Sequence, residues 1–110
     1  MPSYPGDLEQ MVLLSVLQLG EEAHAVRVLE ELDARAGRRV SRGTIYKTME
    51  RLEAKGLVAW EVEEAETGRG GNPRRRFEVT PEGVRTLQAS RDALFRLWDG
   101  LDHVLGEPNG

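Results

Sequence analysis

After Gly56 the apolar residues of this 110-residue chain change their period. Val58, Trp60 and Val62 alternate with Ala59, Glu61 and Glu63; Phe77 and Val79 alternate with Arg74, Arg76 and Glu78. A two-residue period sets one face of a strand against a core. Between the two runs stands Glu66-Thr-Gly-Arg-Gly-Gly-Asn-Pro73, whose glycines, asparagine and proline suit a hairpin tip. Everything before Gly56 repeats at helical spacing instead, so the chain must join a helical layer to one hairpin.

Three helices are predicted ahead of that hairpin. Met1 to Gly6, with two prolines, reads as an N-terminal arm. Asp7 is expected to cap the first helix, with Gln10 three residues on. Leu8, Met11, Val12, Leu14, Ser15 and Leu19 cover most of that helix, and Gly20 ends it. The second runs from His24 to Ala36 with Ala25, Val28, Leu29, Leu32 and Ala36 as its buried stripe, and His24 has a capping or surface role. Arg38 to Val40 reads as a short extended piece. The third helix has a cap at each end, Ser41 and Gly56. Ile45, Met49 and Leu52 recur at i, i+4 and i+7 on its back. Thr44, Lys47, Thr48, Arg51 and Lys55 lie roughly opposite, with Tyr46 on the flank.

Thr80-Pro81 marks a fourth helix, predicted from Glu82 to Leu105 without interruption. Leu87, Leu94 and Leu101 lie seven apart, with Ser90, Leu97 and Val104 three residues after each, and Trp98 and Leu105 widen the stripe. So large an apolar stripe predicts a dimer interface. Leu14 on the first helix belongs to the same set, since that helix faces either the core or a partner.

Charge is segregated. The net is −4, yet residues 1–34 carry −6, residues 35–76 carry +5 and residues 77–110 carry −3. A polyanion responds to the local field, which decays over roughly 8 Å at physiological salt. The basic middle contains the third helix and the hairpin. A capped helix with an apolar back and a basic, hydroxyl-rich front suits a DNA major groove. Arg69 at the tip and Arg74, Arg75 and Arg76 beside it stand where a hairpin would meet phosphates.

Several function classes fall away. There is no cysteine, hence no disulfide or thiolate site, and His24 and His103 share no ligand spacing, so no metal or cofactor is expected. Glu61, Glu63, Glu64 and Glu66 lack the spacing of a calcium loop. No nucleophile-and-base arrangement points to an enzyme. No apolar run approaches the roughly 20 residues of a membrane span, and no signal peptide is evident, so a cytoplasmic location is expected.

The expected fold is mainly α (α+β): a winged helix-turn-helix domain over residues 1–80, with its arm at 1–6, and a C-terminal dimerisation helix over 81–106. The chain resembles the PadR family of bacterial transcriptional regulators from about Leu8 to Leu105. The resemblance rests on Ser41-x-Gly-Thr-Ile-Tyr46, Arg51-Leu52, Lys55-Gly-Leu57, Arg74-Arg-Arg-Phe77 and Val79-Thr-Pro-Glu-Gly83. His24-Ala25-Val26 departs from the family's His-Gly-Tyr, and Lys47 stands where proline is common. The short tail looks like the small subfamily whose single terminal helix builds the dimer.

The resemblance implies a homodimeric repressor on a pseudo-palindromic duplex, its third helices in major grooves about 34 Å apart. Arg51 and Thr48 are the expected base-edge contacts; Tyr46, Lys47, Lys55 and the wing arginines are the expected phosphate contacts, and Ser41 and Thr44 complete the expected DNA-binding set. Tyr46 is either at the DNA surface or half-buried. Trp98 either packs the interface or, as in some small PadR-like proteins, helps hold a planar aromatic effector. The alternative is a winged-helix protein-interaction module without DNA binding.

Overall fold

A computed structural model describes residues 4–63 and 74–108. The element order is α1 (Asp7–Leu19), a 3-10 turn (Gly20–Glu22), α2 (Ala25–Ala36), α3 (Arg42–Ala54), β1 (Val58–Glu63), β2 (Arg74–Val79), α4 (Pro81–Trp98) and α5 (Asp102–Leu105). Three helices and an antiparallel hairpin follow from the change of period at Gly56. The register pairs Val58 with Val79, Trp60 with Phe77 and Val62 with Arg75 on one face. Ala59 with Glu78, Glu61 with Arg76 and Glu63 with Arg74 share the other.

The core is one cluster. Val12, Leu13 and Val16 of α1 meet Val28 and Leu32 of α2 and Ile45, Met49 and Leu52 of α3. Leu57, Val58 and Phe77 close it from the hairpin side. Burying such side chains is worth roughly 1.5–3 kcal/mol each before chain entropy is counted. Leu13, absent from the expected stripe, is fully buried, whereas Leu14 is half exposed.

The extended piece expected before α3 does not pair with the hairpin. Arg38 to Val40 forms no strand. Instead the chain just before α2 lies against β2: Phe77 N–H donates to Ala23 O at 2.8 Å, and His24 bridges Arg76. Tertiary pairing here uses a residue predicted only to cap or face solvent.

The start of α1 is also shifted. Gly6, not Asp7, occupies the cap position, and Gly6 N–H donates to the Glu9 carboxylate at 3.0 Å. Gln10 reaches back to Pro5 O instead. Glu9 is 8 % exposed and binds Lys55 Nζ at 2.9 and 3.0 Å. Burial opposes its charge, but the Lys55 hydrogen bond, the Gly6 amide and the nearby charges of Lys55 and Arg51 outweigh it. The carboxyl is therefore held below its ordinary value of 4.5. A depressed folded value stabilises the fold above pH 4.5 and loses that contribution as pH falls through it. Glu9→Gln should cost about 1–2 kcal/mol at neutral pH, and its stability should converge on wild type in acid. Urea unfolding across a pH series checks this; parallel curves down to acid pH would remove Glu9 from the acid response.

The predicted last helix breaks. It ends at Trp98, Gly100 turns at φ 79°, and α5 begins after Leu101. Only glycine adopts that left-handed conformation cheaply. Leu101, Val104 and Leu105 therefore leave the register of Leu87 and Leu94. The first half of α4 is core: Leu87 and Ser90 are buried, and Ser90 Oγ bonds Gln10 Oε1 at 2.9 Å. Leu87 is thus a core residue and not an interface residue.

Candidate nucleic-acid interface

α3 begins as its sequence implies. Ser41 Oγ caps the helix by accepting from Thr44 N–H at 3.1 Å, and it lies 3.0 Å from Thr44 Oγ1, so the two hydroxyls are bonded to each other. The exposed face of α3 carries Arg42, Gly43, Tyr46, Lys47 and Glu50. Tyr46 is 44 % exposed on that face.

Thr48 is corrected. It is fully buried, its hydroxyl donating to Thr44 O at 2.8 Å. The cause is helical spacing: Thr48 is three residues after Ile45 and four before Leu52, within the buried stripe. It cannot reach a base edge. Arg51 donates to Thr48 Oγ1 at 3.2 Å and lies 4.0 Å from Glu9, while Lys55 is paired with Glu9. These two cationic side chains sit on the flank of α3 that faces α1. Arg42 was missed, although its spacing of four from Tyr46 places it on the same face.

On the hairpin the arginines divide. Arg76 is paired with Glu61 across the strands and lies 3.8 Å from Glu63. The Glu61 hydrogen bond, opposed by burial and aided by Glu61, Glu63 and Glu78, raises its pKa further above the ordinary arginine range. Arg74 and Arg75 are exposed, and the Arg75 guanidinium lies 4.2 Å over the Trp60 ring. Trp60 is half-buried, with its N–H donating to Glu53. Cation–π contact of this kind is worth about 0.5–1 kcal/mol at a surface and restricts where the guanidinium points. Arg69 lies outside the described residues, as do Glu64 and Glu66.

The start of α2, the outer face of α3 and β2 enclose a cleft of about 580 Å³. His24 and Arg27 line it from α2, Tyr46 and Glu50 from α3, Arg74 and Arg75 from β2. His24 at the N-cap of α2 makes no side-chain cap hydrogen bond, so among the described residues the first amides of α2 are left without one. Cations and uncapped amides converging on one concavity make an anion-accepting surface. Arg27 was missed because it is the single base of an acidic stretch.

A second surface is apolar. Leu94, Phe95, Leu97, Trp98, Leu101, Val104 and Leu105 are all exposed, as are Leu14 and Leu17 on α1. Phe95 and Leu17 were not among the expected interface residues; Phe95 falls between the heptad positions. No helix among the described residues is long and apolar enough to cross a membrane.

Comparison with known proteins accords with this geometry. The family model of the PadR-like transcriptional regulators matches residues 13–89. The chain is similar to the transcriptional regulator Rv3488 of Mycobacterium tuberculosis, with 41 % identity over 89 residues, 77 % of this chain and 78 % of the relative. Among solved structures it is similar to a PadR family transcriptional regulator from Eggerthella lenta, with 30 % identity and TM-score 0.66, covering 93 % of this chain and 88 % of that one. A PadR-like regulator from Bacillus cereus shares the fold at TM-score 0.71 with 20 % identity, over 92 % and 93 % of the two chains. These relatives are regulators of transcription and not enzymes. The chain belongs to the PadR-like family of transcriptional regulators, DNA-binding proteins of winged-helix fold.

Proposed function

We propose that this regulator is a homodimeric, sequence-specific repressor acting in the cytoplasm, relieved by a planar aromatic effector at the dimer interface. The observation that carries the reading is the pairing of two unlike surfaces on one protomer: a cationic cleft beside α3, and an apolar face on α4 and α5. Leu97 at 74 % and Trp98 at 54 % exposure are unusual for large apolar side chains unless a partner covers them. A second copy is the simplest occupant, because a two-fold pair of basic faces matches the symmetry of a duplex. Ser41, Thr44, Tyr46 and Lys47 with Arg42 would approach one groove; Arg74 and Arg75 would approach the flanking phosphates. Residues 1–80 would then read DNA and residues 81–106 would join the protomers, with the first half of α4 shared by both tasks.

Footprinting of genomic DNA tests this. The expected protection covers two half-sites about one helical turn apart, and Leu97→Asp sediments as a monomer and protects neither. Planar aromatic compounds should release the DNA and quench Trp98 emission in a Trp60→Phe background. A dimer that persists in Leu97→Asp would sink the interface. Absence of any footprint would leave the interaction module as the better reading.

A further inference from the structure

The outermost line of α3 places an acid in the middle of a cationic surface. Ile45, Thr48, Met49 and Leu52 form the buried side of the helix. Gly43, Lys47, Glu50 and Ala54, at spacings of three and four, therefore stand opposite them, and all are exposed. Glu50 also lines the cleft with Arg27, Tyr46, Arg74 and Arg75. The neighbouring carboxylates are occupied: Glu53 accepts from the Trp60 N–H, and Glu61 and Glu63 face Arg76. Among the described residues no cation pairs with Glu50, although arginines of α2 and β2 line the same cleft.

A surface that only gripped phosphates would be better without this charge, because a carboxylate repels them. The major groove is the part of a duplex that offers it partners: cytosine N4 and adenine N6 present donors there, whereas the backbone oxygens only accept. Arg42 and Lys47 can only donate, and the Ser41 and Thr44 hydroxyls are bonded to each other. Glu50 is thus the carboxylate acceptor on this face. It lies seven residues beyond Gly43, about 10 Å along the axis, so one groove can take both. Between the two donors the chemistry favours cytosine. Adenine N6 stands beside the N7 acceptor, which repels a carboxylate, and cytosine N4 has no such neighbour.

We propose that Glu50 is a specificity-determining residue whose carboxylate accepts a hydrogen bond from cytosine N4 in the major groove. Its charge penalises duplexes that present thymine O4 or guanine O6 at the same place. The proposal rests on the DNA-binding reading above and names part of what that site selects. Discrimination of this kind comes from an unfavourable contact with the wrong partner as much as from a favourable one with the right partner.

The test is selection of bound duplexes from a random-sequence pool by the full chain, as wild type, Glu50→Gln and Glu50→Ala. Each protein is then titrated against the wild-type selected duplex and a mixed-sequence duplex at one ionic strength. Position 50 is exposed on a helix, where glutamine and alanine are both well tolerated, and circular dichroism checks that each variant is folded. Wild type should prefer cytosine at one position of each half-site, by roughly fivefold or more over the other bases. Glu50→Gln should exchange that cytosine for adenine, because a carboxamide pairs with adenine N6 and N7 together. Glu50→Ala should lose the preference. It should bind mixed-sequence duplex roughly twofold to fivefold more tightly, and the selected duplex more weakly. These opposite signs separate a base contact from a solvated acid, whose removal would tighten both duplexes by one factor. The same selected sequence in all three proteins, or an equal gain on both duplexes, overturns the proposal. A wild-type pool in which no sequence is enriched overturns sequence-specific reading itself, and the proposal with it.

Discussion

Replacing Arg74 and Arg75 together by alanine is expected to weaken duplex binding roughly 10- to 100-fold at moderate salt. The slope of log affinity against log salt should flatten by about two, one counterion for each phosphate that is no longer neutralised. Both side chains are exposed at the mouth of the cleft, and Trp60 fixes the direction of Arg75. The informative comparison is Arg76→Ala. Sequence alone treats the three arginines as equivalent, but Arg76 faces Glu61 across the hairpin and Glu63 beside it. Its charge is already compensated, so its removal should change the salt slope by much less than one. Titration of affinity over a range of salt concentrations checks both. Equal slopes for Arg76→Ala and Arg75→Ala would show that the Glu61 pair does not hold in solution, and an unchanged slope in the double variant would remove the hairpin from the interface.

The largest effect on stability is expected at Gly83. A Cβ there would lie 2.3 Å from Leu57 O and 2.6 Å from Val79 Cγ1, with Leu57 C at 3.2 Å. Two of these are backbone atoms and cannot rotate away. The crowding has a cause in the hydrogen bonds that seat α4. Thr80 N–H donates to Leu57 O, Thr80 Oγ1 donates to Gly56 O, and Gly83 N–H returns to Thr80 Oγ1. The helix start is thus drawn onto the end of the α3–β1 connection, and only a glycine fits between. Gly83→Ala should cost about 2–4 kcal/mol, a drop of roughly 10–25 °C in Tm for a domain of this size. Gly100→Ala is the control: it has open space around it but a left-handed φ of 79°, so its cost should stay near ~1 kcal/mol. Thermal unfolding followed by circular dichroism separates the two. Similar melting points would mean that α4 shifts to accommodate the methyl group.

Local patterns carried most of the fold. The two-residue period around Trp60 and Phe77, the stripe Ile45–Met49–Leu52 and the caps Ser41 and Thr80 all describe what neighbouring residues do to one another, and the elements stand where those patterns place them. What was not legible depends on contacts distant in sequence. Arg38–Val40 was expected to be extended, but the strand-like contact to β2 comes from Ala23 and His24, chosen by tertiary fit. Thr48 looked polar and therefore exposed, although its hydroxyl is satisfied by its own helix and its position is apolar by spacing. Glu9 resembles a surface carboxylate until the chain brings Lys55 to it from 46 residues away. The a/d stripe of the last helix stays on one helix through Leu97, but Gly100 lies off that stripe and its left-handed turn breaks the repeat before Leu101. Of the proposed DNA-facing residues, charge segregation located the region, and only the paired acids distinguish Arg74 and Arg75 from Arg76.

In the proposed pair, the turn at Gly100 also sets the gauge of the assembly. Each reading head rides on a stiff arm, α4, whose 18 residues at about 1.5 Å apiece give roughly 27 Å. The separation of the heads is decided by where two such arms cross, near Leu94 and Trp98. The tail beyond the glycine adds apolar cover without lengthening either arm. In such a pair a change in its length would leave the distance between half-sites unaltered.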